Sequence, residues 1–268
     1  MSIGVTTIGN LTVSRFIMGG NPFSGFSHQS TERDLEMKRY YTTERLTETL
    51  FQAQAAGINT LISRADHHVM RLLLEYWDAG GALQWIAQTC SELGPIANGV
   101  RNAINGGARA CYIHGGQMDN RVANEQYDEI RDAIKMIHDA GMPAGVAAHN
   151  PRVFAWAEEN LDADFYMCSY YNPASRDKDP SHVSGANEWF DDADREIMVQ
   201  VIAQLSKPAI HYKVLAAGRN NPYDAFAFVA RHLRPQDAVC VGVFTKDNTG
   251  MIEEDMRLLE AGLQAVKA

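Results

Sequence analysis

The 268-residue sequence predicts an α/β protein, a TIM-type (β/α)8 barrel with an N-terminal β-hairpin, and three observations carry that prediction. Short β-branched or apolar runs alternate with longer amphipathic segments about eight times, the pattern of βα units feeding a parallel sheet. The short runs are apolar on both faces, as strands covered on both sides must be. A closed barrel takes about 250 residues as one unit, so residues 1–268 read as a single (β/α)8 barrel domain.

The elements follow in order. Residues 3–7 and 11–13 flank a Gly9-Asn10 turn and read as a hairpin capping one end of the barrel. The barrel strands are expected at 16–18, 60–63, 83–87, 110–113, 144–147, 165–168, 209–212 and 238–243. Helix 43–56 places Leu46, Leu50 and Ala53 on one face and stops at Gly57. Comparable helices are expected at 69–77, 124–140, 152–160, 192–205, 222–233 and 249–266. Two connections, 21–41 and 172–191, are longer than packing needs and leave the C-terminal ends of their strands, the active-site face of a barrel. Phe23, Phe26, His28, His182, Trp189 and Phe190 within them suit lids over a pocket, with ordinary surface loops as the alternative.

Composition narrows the partners. Lys+Arg 24 against Asp+Glu 33 gives a net charge of -9, and a pI near 5.4 argues against a surface built to neutralise phosphate backbones. The expected partner is therefore a small-molecule substrate, with no nucleic acid and no membrane. No leader pattern opens the chain and no stretch approaches 18 uninterrupted apolar residues, so a cytoplasmic location is expected. Cys90, Cys111, Cys168 and Cys240 lack any CxxC spacing and read as free, mostly buried thiols.

The segment Val13-Ser14-Arg15-Phe16-Ile17-Met18-Gly19-Gly20 and the later Gly57-Ile58-Asn59-Thr60 resemble the opening of the aldo-keto reductases, NADPH-dependent (β/α)8 barrels. Tyr112-Ile113-His114 looks like the strand segment that carries that family's catalytic histidine, and Tyr171-Asn172-Pro173 looks like its sixth strand end. Tyr212-Lys213-Val214-Leu215-Ala216-Ala217-Gly218 resembles the loop that runs past the cofactor, and Val241-Gly242-Val243 before a helix resembles the last unit. The catalytic set departs from the family pattern. Ile62 stands where the aspartate is expected, the tyrosine position falls near His67, and Cys90 replaces the lysine. His149, beside Asn150, replaces a nicotinamide-contacting serine, and Cys168 replaces the glutamine; only His114 matches. Without the tyrosine and lysine the usual proton transfer to a carbonyl has no evident donor.

Residues at strand ends share one mouth, which would gather Asn21, Arg64, Asp66, His67, Glu92, His114, His149, Cys168, Tyr170, His211, Lys213, Arg219 and Lys246. Neutral imidazoles are common ligands of divalent metals, so His114, His149 and His211 with Glu92 are candidate ligands; a metal-free polar pocket is the alternative. His211 and Tyr212 cannot both face inward unless their strand has already ended. His114, Lys213, His67 and Asp66 are the candidate catalytic groups. Lys213 would serve as a base or imine-forming nucleophile, or simply pair with an anion; Asp66 and His67 form an acid–base pair or a local salt bridge. Asn21, Arg64, Tyr170, Asn172, Trp189, Arg219 and Lys246 are candidate substrate contacts, with the turns at Arg219 and Lys246 suited to phosphate or to plain helix capping. Polar groups beside Phe23, Tyr170, Trp189 and Phe190 suit a carbohydrate-like ligand. Three functions remain open: a metal-assisted or acid–base lyase, isomerase or hydrolase; an NADPH-dependent reductase with an atypical catalytic set; and a catalytically silent binding barrel.

Overall fold

The computed structural model describes residues 3–181 and 188–267; His182 lies outside the described residues. Strands β1 (Val5–Ile8) and β2 (Leu11–Ser14) pair antiparallel, from Val5 opposite Ser14 to Ile8 opposite Leu11. The eight parallel strands that follow are β3 (Phe16–Gly19), β4 (Thr60–Arg64), β5 (Gln84–Gln88), β6 (Ala110–Ile113), β7 (Ala144–Ala148), β8 (Phe165–Ser169), β9 (Ala209–Tyr212) and β10 (Ala238–Gly242). They close into a barrel because β10 pairs with both β9 and β3.

Side-chain alternation sorts the strand residues into two cores. Ile17, Ile62, Ile86, Tyr112, Met167 and Ile210 point into the barrel, and Ile8, Leu11 and Val13 of the hairpin pack beneath them as a plug. Phe165 fills the interior at Gly145, where an added Cβ would lie 2.4 Å from its ring. Phe16, Leu61, Trp85, Cys111 and Val239 point outward against the helices. Each such buried side chain contributes about 1.5–3 kcal/mol of transfer free energy.

The helices are α1 (Thr31–Tyr40), α2 (Thr43–Ala55), α3 (His67–Asp78), α4 (Ile96–Asn105), α5 (Gly115–Ala123), α6 (Tyr127–Asp139), α7 (Pro151–Asn160), α8 (Asp192–Gln204), α9 (Pro222–His232) and α10 (Met251–Lys267). Three of them correct the sequence reading. The connection 21–41 contains α1, started by Ser30, whose side chain accepts from the Arg33 N–H. In α4, Ile96, Gly99, Val100 and Ala103 form the buried face, a stripe broken up in the sequence by Asn98 and Gly99. The expected helix 124–140 starts only at Tyr127, because α5 ends ahead of it and Glu125 takes a left-handed φ of 55°. The four cysteines are free and buried. Among the described residues no helix is long and apolar enough to cross a membrane.

Candidate active site

The C-terminal ends of the strands open on a polar chamber of about 140 Å³. Its floor is the last inward layer of the barrel. There the Tyr112 hydroxyl donates to Gln88 Oε1 at 2.8 Å, and Tyr212 rises from β9.

One wall is made by the start of α5. Gly115 sits where an added Cβ would lie 2.9 Å from His149 Cε1 and 3.2 Å from the Tyr212 hydroxyl, so glycine lets the helix approach both side chains. One turn further, the buried Asp119 accepts from the backbone N–H of His149 and of Asn150 and pairs with His149 Nδ1 at 2.8 Å. That carboxylate fixes the ring: Nδ1 carries the proton, and Nε2 presents its lone pair to the Tyr212 hydroxyl 3.4 Å away. Burial pushes the His149 imidazole down while Asp119 offsets part of the effect, so the ring is held neutral. Burial pushes the Tyr212 phenol up, and it keeps its proton. Asp119, His149 and Tyr212 therefore form a carboxylate–imidazole–phenol chain ending in the chamber.

His114 precedes α5 and lines the same chamber. Its backbone N–H donates to Thr89 Oγ1, and its Nδ1 is buried without a hydrogen-bond partner among the described residues. Burial, with His149, Arg64, Arg176 and Lys213 nearby, lowers its pKa well below the usual imidazole range. Arg64, at the end of β4, is held between Asp66 at 2.9 Å and Glu92, with its guanidinium 4.8 Å from the Phe26 ring centroid.

The opposite wall comes from the two long connections. His28 Nδ1 pairs with Glu188 at 2.8 Å, and Arg176 reaches the same carboxylate at 3.5 Å. Lys213 follows β9 with φ at 59°, a left-handed conformation that a side-chain-bearing residue adopts at a cost. Its Nζ lies 3.4 Å from His28 Nε2. Burial pulls its pKa down to about 8, against the opposing pull of Glu188 and with Arg176 and Arg219 adding to the lowering.

A second cleft, about 440 Å³, joins the chamber at Asn21, Gln88, Tyr212 and Lys213 and runs between the loops after β9 and β10. Its far end is lined by Asp247, Glu254 and Asp255, while the cations there are engaged: Arg33 with Glu36 and Asp247, Lys246 with Glu36.

The structure therefore brings Asn21, Arg64, Glu92, His114, His149 and Lys213 to one chamber. The remaining expectations are corrected by position. His211 faces the helices, not the mouth: it is fully buried, with Nδ1 2.9 Å from the Tyr170 hydroxyl and Nε2 3.3 Å from Asp237. Strand parity decides this, since Tyr212 takes the inward direction. The expected metal set of His114, His149, His211 and Glu92 is thus not assembled; His211 is turned away, His149 Nδ1 is held by Asp119, and Glu92 is paired with Arg64. Among the described residues no group of three or more His, Cys, Asp or Glu is placed to hold a metal ion. Tyr170 leaves the site together with His211. Asp66 caps α3 by accepting from the Val69 N–H, and His67 in that first turn is exposed and off the chamber, so the two form no acid–base pair. Asn172 is tied through its N–H to Asp194, Trp189 is 58% exposed, and Lys246 is held by Glu36; none lines the chamber. Arg219 acts from behind, donating to the His28 carbonyl and stacking on Phe190. Asp119, Arg176, Glu188 and Tyr212 were not expected in the site. For Tyr212 strand parity carries the signal; Asp119 has none in the sequence, because α5 buries polar residues that no apolar spacing marks.

No protein-family model and no curated protein sequence matches the chain. Solved structures do. An aldo-keto reductase from Bacillus halodurans, in its holo form, superposes with a TM-score of 0.63 at 11% identity over 97% of this chain and 91% of that one. A glycerol dehydrogenase from Gluconobacter oxydans gives 0.58 at 11% identity over 98% and 96%. A truncated 3-deoxy-D-arabino-heptulosonate 7-phosphate synthase from Thermotoga maritima gives 0.58 at 12% identity over 99% and 93%. At such identities the likeness is one of fold: the chain has an aldo-keto-reductase-like (β/α)8 barrel.

Proposed function

We propose that this protein is an enzyme that performs general acid–base chemistry on a small, polar, carbohydrate-like substrate bearing a carbonyl or hydroxyl group at the barrel mouth. The observation that carries this reading is the Asp119–His149–Tyr212 chain. Asp119 holds His149 in the tautomer whose Nε2 accepts, so the imidazole can take a proton released by the substrate while the Tyr212 hydroxyl gives its own to a substrate oxygen, and the proton on Nε2 then restores Tyr212. This supplies a proton donor where the sequence has lost the reductase tyrosine. Arg64, Gln88 and Asn21 offer hydrogen bonds to hydroxyls, and Phe26 offers an apolar face. Proton transfer beside a carbonyl, the step shared by isomerases and lyases, asks for no redox partner.

Deuterium uptake from D2O into a panel of aldoses and ketoses, followed by NMR, tests the reading. The expected result is exchange into at least one sugar, falling about 100-fold or more in Asp119→Asn and His149→Ala. No exchange into any sugar, together with melting-temperature gains only from apolar ligands, overturns it. Saturable sugar binding without exchange or turnover identifies a silent binding barrel instead.

One observation favours a second reading, carbonyl reduction with NADPH: a cleft of about 440 Å³ meets the chamber beside Tyr212. Its acidic end, with both nearby cations engaged, does not fit the additional phosphate of NADPH. Fluorescence titration with NADPH decides the matter, and tight binding followed by carbonyl reduction would replace the non-redox reading.

A further inference from the structure

We propose that Lys213 is a nucleophile that forms an imine with a small aldehyde or ketone held in the chamber. The inference deepens the acid–base reading of the same site and rests on it for the protons.

The geometry of the amine carries the argument. Lys213 lines both the chamber and the adjoining cleft, so a ligand in either meets it. Among the described residues no carboxylate comes within 4 Å of its Nζ; the near polar partner is the His28 ring, with Nε2 at 3.4 Å and Nδ1 at 3.5 Å. His28 is itself oriented by Glu188, which pairs with Nδ1 at 2.8 Å, so in the neutral ring the proton sits on Nδ1 and Nε2 is the basic nitrogen. A lysine serving only as a structural cation would sit against a carboxylate. This one lies against the His28 ring, within reach of a nitrogen that can take a proton from the ammonium and leave a neutral amine. The left-handed backbone at Lys213, closed by the Ala216 N–H donating to its carbonyl at 2.8 Å, holds the side chain at the junction. Burial favours the neutral amine as well.

The step balances without an oxidant or reductant. The Nζ lone pair attacks the carbonyl carbon and forms the C–N bond, while the carbonyl oxygen takes a proton from the Tyr212 hydroxyl and the new ammonium gives one to His28. The resulting hydroxyl then leaves as water when the C=N bond forms, and the borrowed protons return. The products are one imine and one water. The imine carbon is a stronger electron sink than the carbonyl, which suits proton removal at the neighbouring carbon.

The test traps the imine. The full chain is incubated at pH 7 with glycolaldehyde, glyceraldehyde, dihydroxyacetone or pyruvate and sodium cyanoborohydride, then measured by intact mass and peptide mapping. The expected result is one equivalent of adduct on Lys213 for at least one probe, formed at least tenfold faster than on the exposed Lys135 and Lys178. It should be absent in Lys213→Arg and slowed about tenfold in His28→Ala. Labelling of Lys213 no faster than the surface lysines with all four probes overturns the proposal, as does unchanged labelling in His28→Ala. Circular dichroism of each variant separates loss of fold from loss of reactivity. Deuterium exchange without adduct leaves the acid–base reading standing and removes this one; adduct that forms unchanged in Asp119→Asn, without exchange, does the reverse for the relay.

Discussion

A single carboxylate decides what His149 can do. Asp119 accepts from two backbone N–H groups and from Nδ1, so Asp119→Asn offers the ring an amide that can present either an oxygen or an NH2 group. The expected outcome is a fall in kcat of about 10²–10⁴-fold with little change in KM, because tautomer control matters to the proton transfer more than to binding. Steady-state kinetics on any substrate found by the exchange screen check this. Lys213 gives a second prediction, on stability. Its folded pKa of about 8 lies below the ordinary 10.5, so between those values the unfolded chain binds the extra proton and stability contributed at this position rises with pH. Below pH 8 both states carry the charge, and the full cost of burying it is present. Lys213→Met should therefore be more stable than the parent at pH 7 by on the order of 2 kcal/mol, with the gap closing as pH passes from 8 to above 10.5. Urea titrations of the pair at pH 7, 9 and 10.5 read the gap; a constant difference would mean that the amine is not desolvated.

At the scale of elements, alternation along β9 separates structure from chemistry. His211 points to the helix layer, where Tyr170, Asp237 and Arg234 tie β8, β9 and β10 to the start of the last unit. Tyr170→Phe strands His211 Nδ1 in a dry core and should cost about 1–3 kcal/mol in urea unfolding with turnover per folded molecule unchanged; a tenfold loss of turnover would return Tyr170 to the site. Helix α10 carries another test. Burial pushes Asp255 up to about 7, and its Oδ2 has no hydrogen-bond partner among the described residues. Its folded pKa exceeds the unfolded 3.8, so its contribution is most favourable at low pH and is lost as pH rises towards and through 7. Asp255→Asn should gain on the order of 2 kcal/mol over the parent at pH 8 and nothing near pH 4. The same scale explains what the sequence could convey. Strand positions were legible because runs such as residues 144–147 and 209–212 are apolar on both faces, and α2 was legible from Leu46, Leu50 and Ala53. Helix α5 was not: it opens on Gly115-Gly116 and buries Gln117, Asp119 and Asn120, polar residues that no apolar periodicity reveals. The candidate site shared that fate. His114, His149, Arg64 and Lys213 follow from being at strand ends, whereas Asp119, Arg176 and Glu188 depend on how a polar helix and a long connection fold over the mouth.

At the scale of the whole molecule, the barrel places its chemistry and the plug at opposite ends. The hairpin residues Ile8, Leu11 and Val13 pack under the inward layer of Ile17, Ile86, Ala110 and Phe165, at the N-terminal end of the strands. Asn59 anchors the hairpin by accepting from the Ser14 N–H at 2.7 Å and donating to the Thr12 carbonyl. The chamber with Tyr212, His149 and Lys213 lies at the C-terminal end. Loops at that end can change function while the packed interior between them keeps the fold. Leu11→Ala, at a side chain 5% exposed, removes buried methyl groups and leaves a cavity that the closed barrel cannot fully collapse. The expected cost is about 2–4 kcal/mol in urea unfolding, with imine trapping at Lys213 and sugar exchange unchanged below the transition. Tyr212→Phe, which keeps the ring and its packing, should show the converse, losing exchange about 100-fold or more while the unfolding midpoint shifts much less. If Leu11→Ala altered exchange as strongly as stability, the barrel would have to transmit strain along its full length, and the separation of plug from mouth would fail.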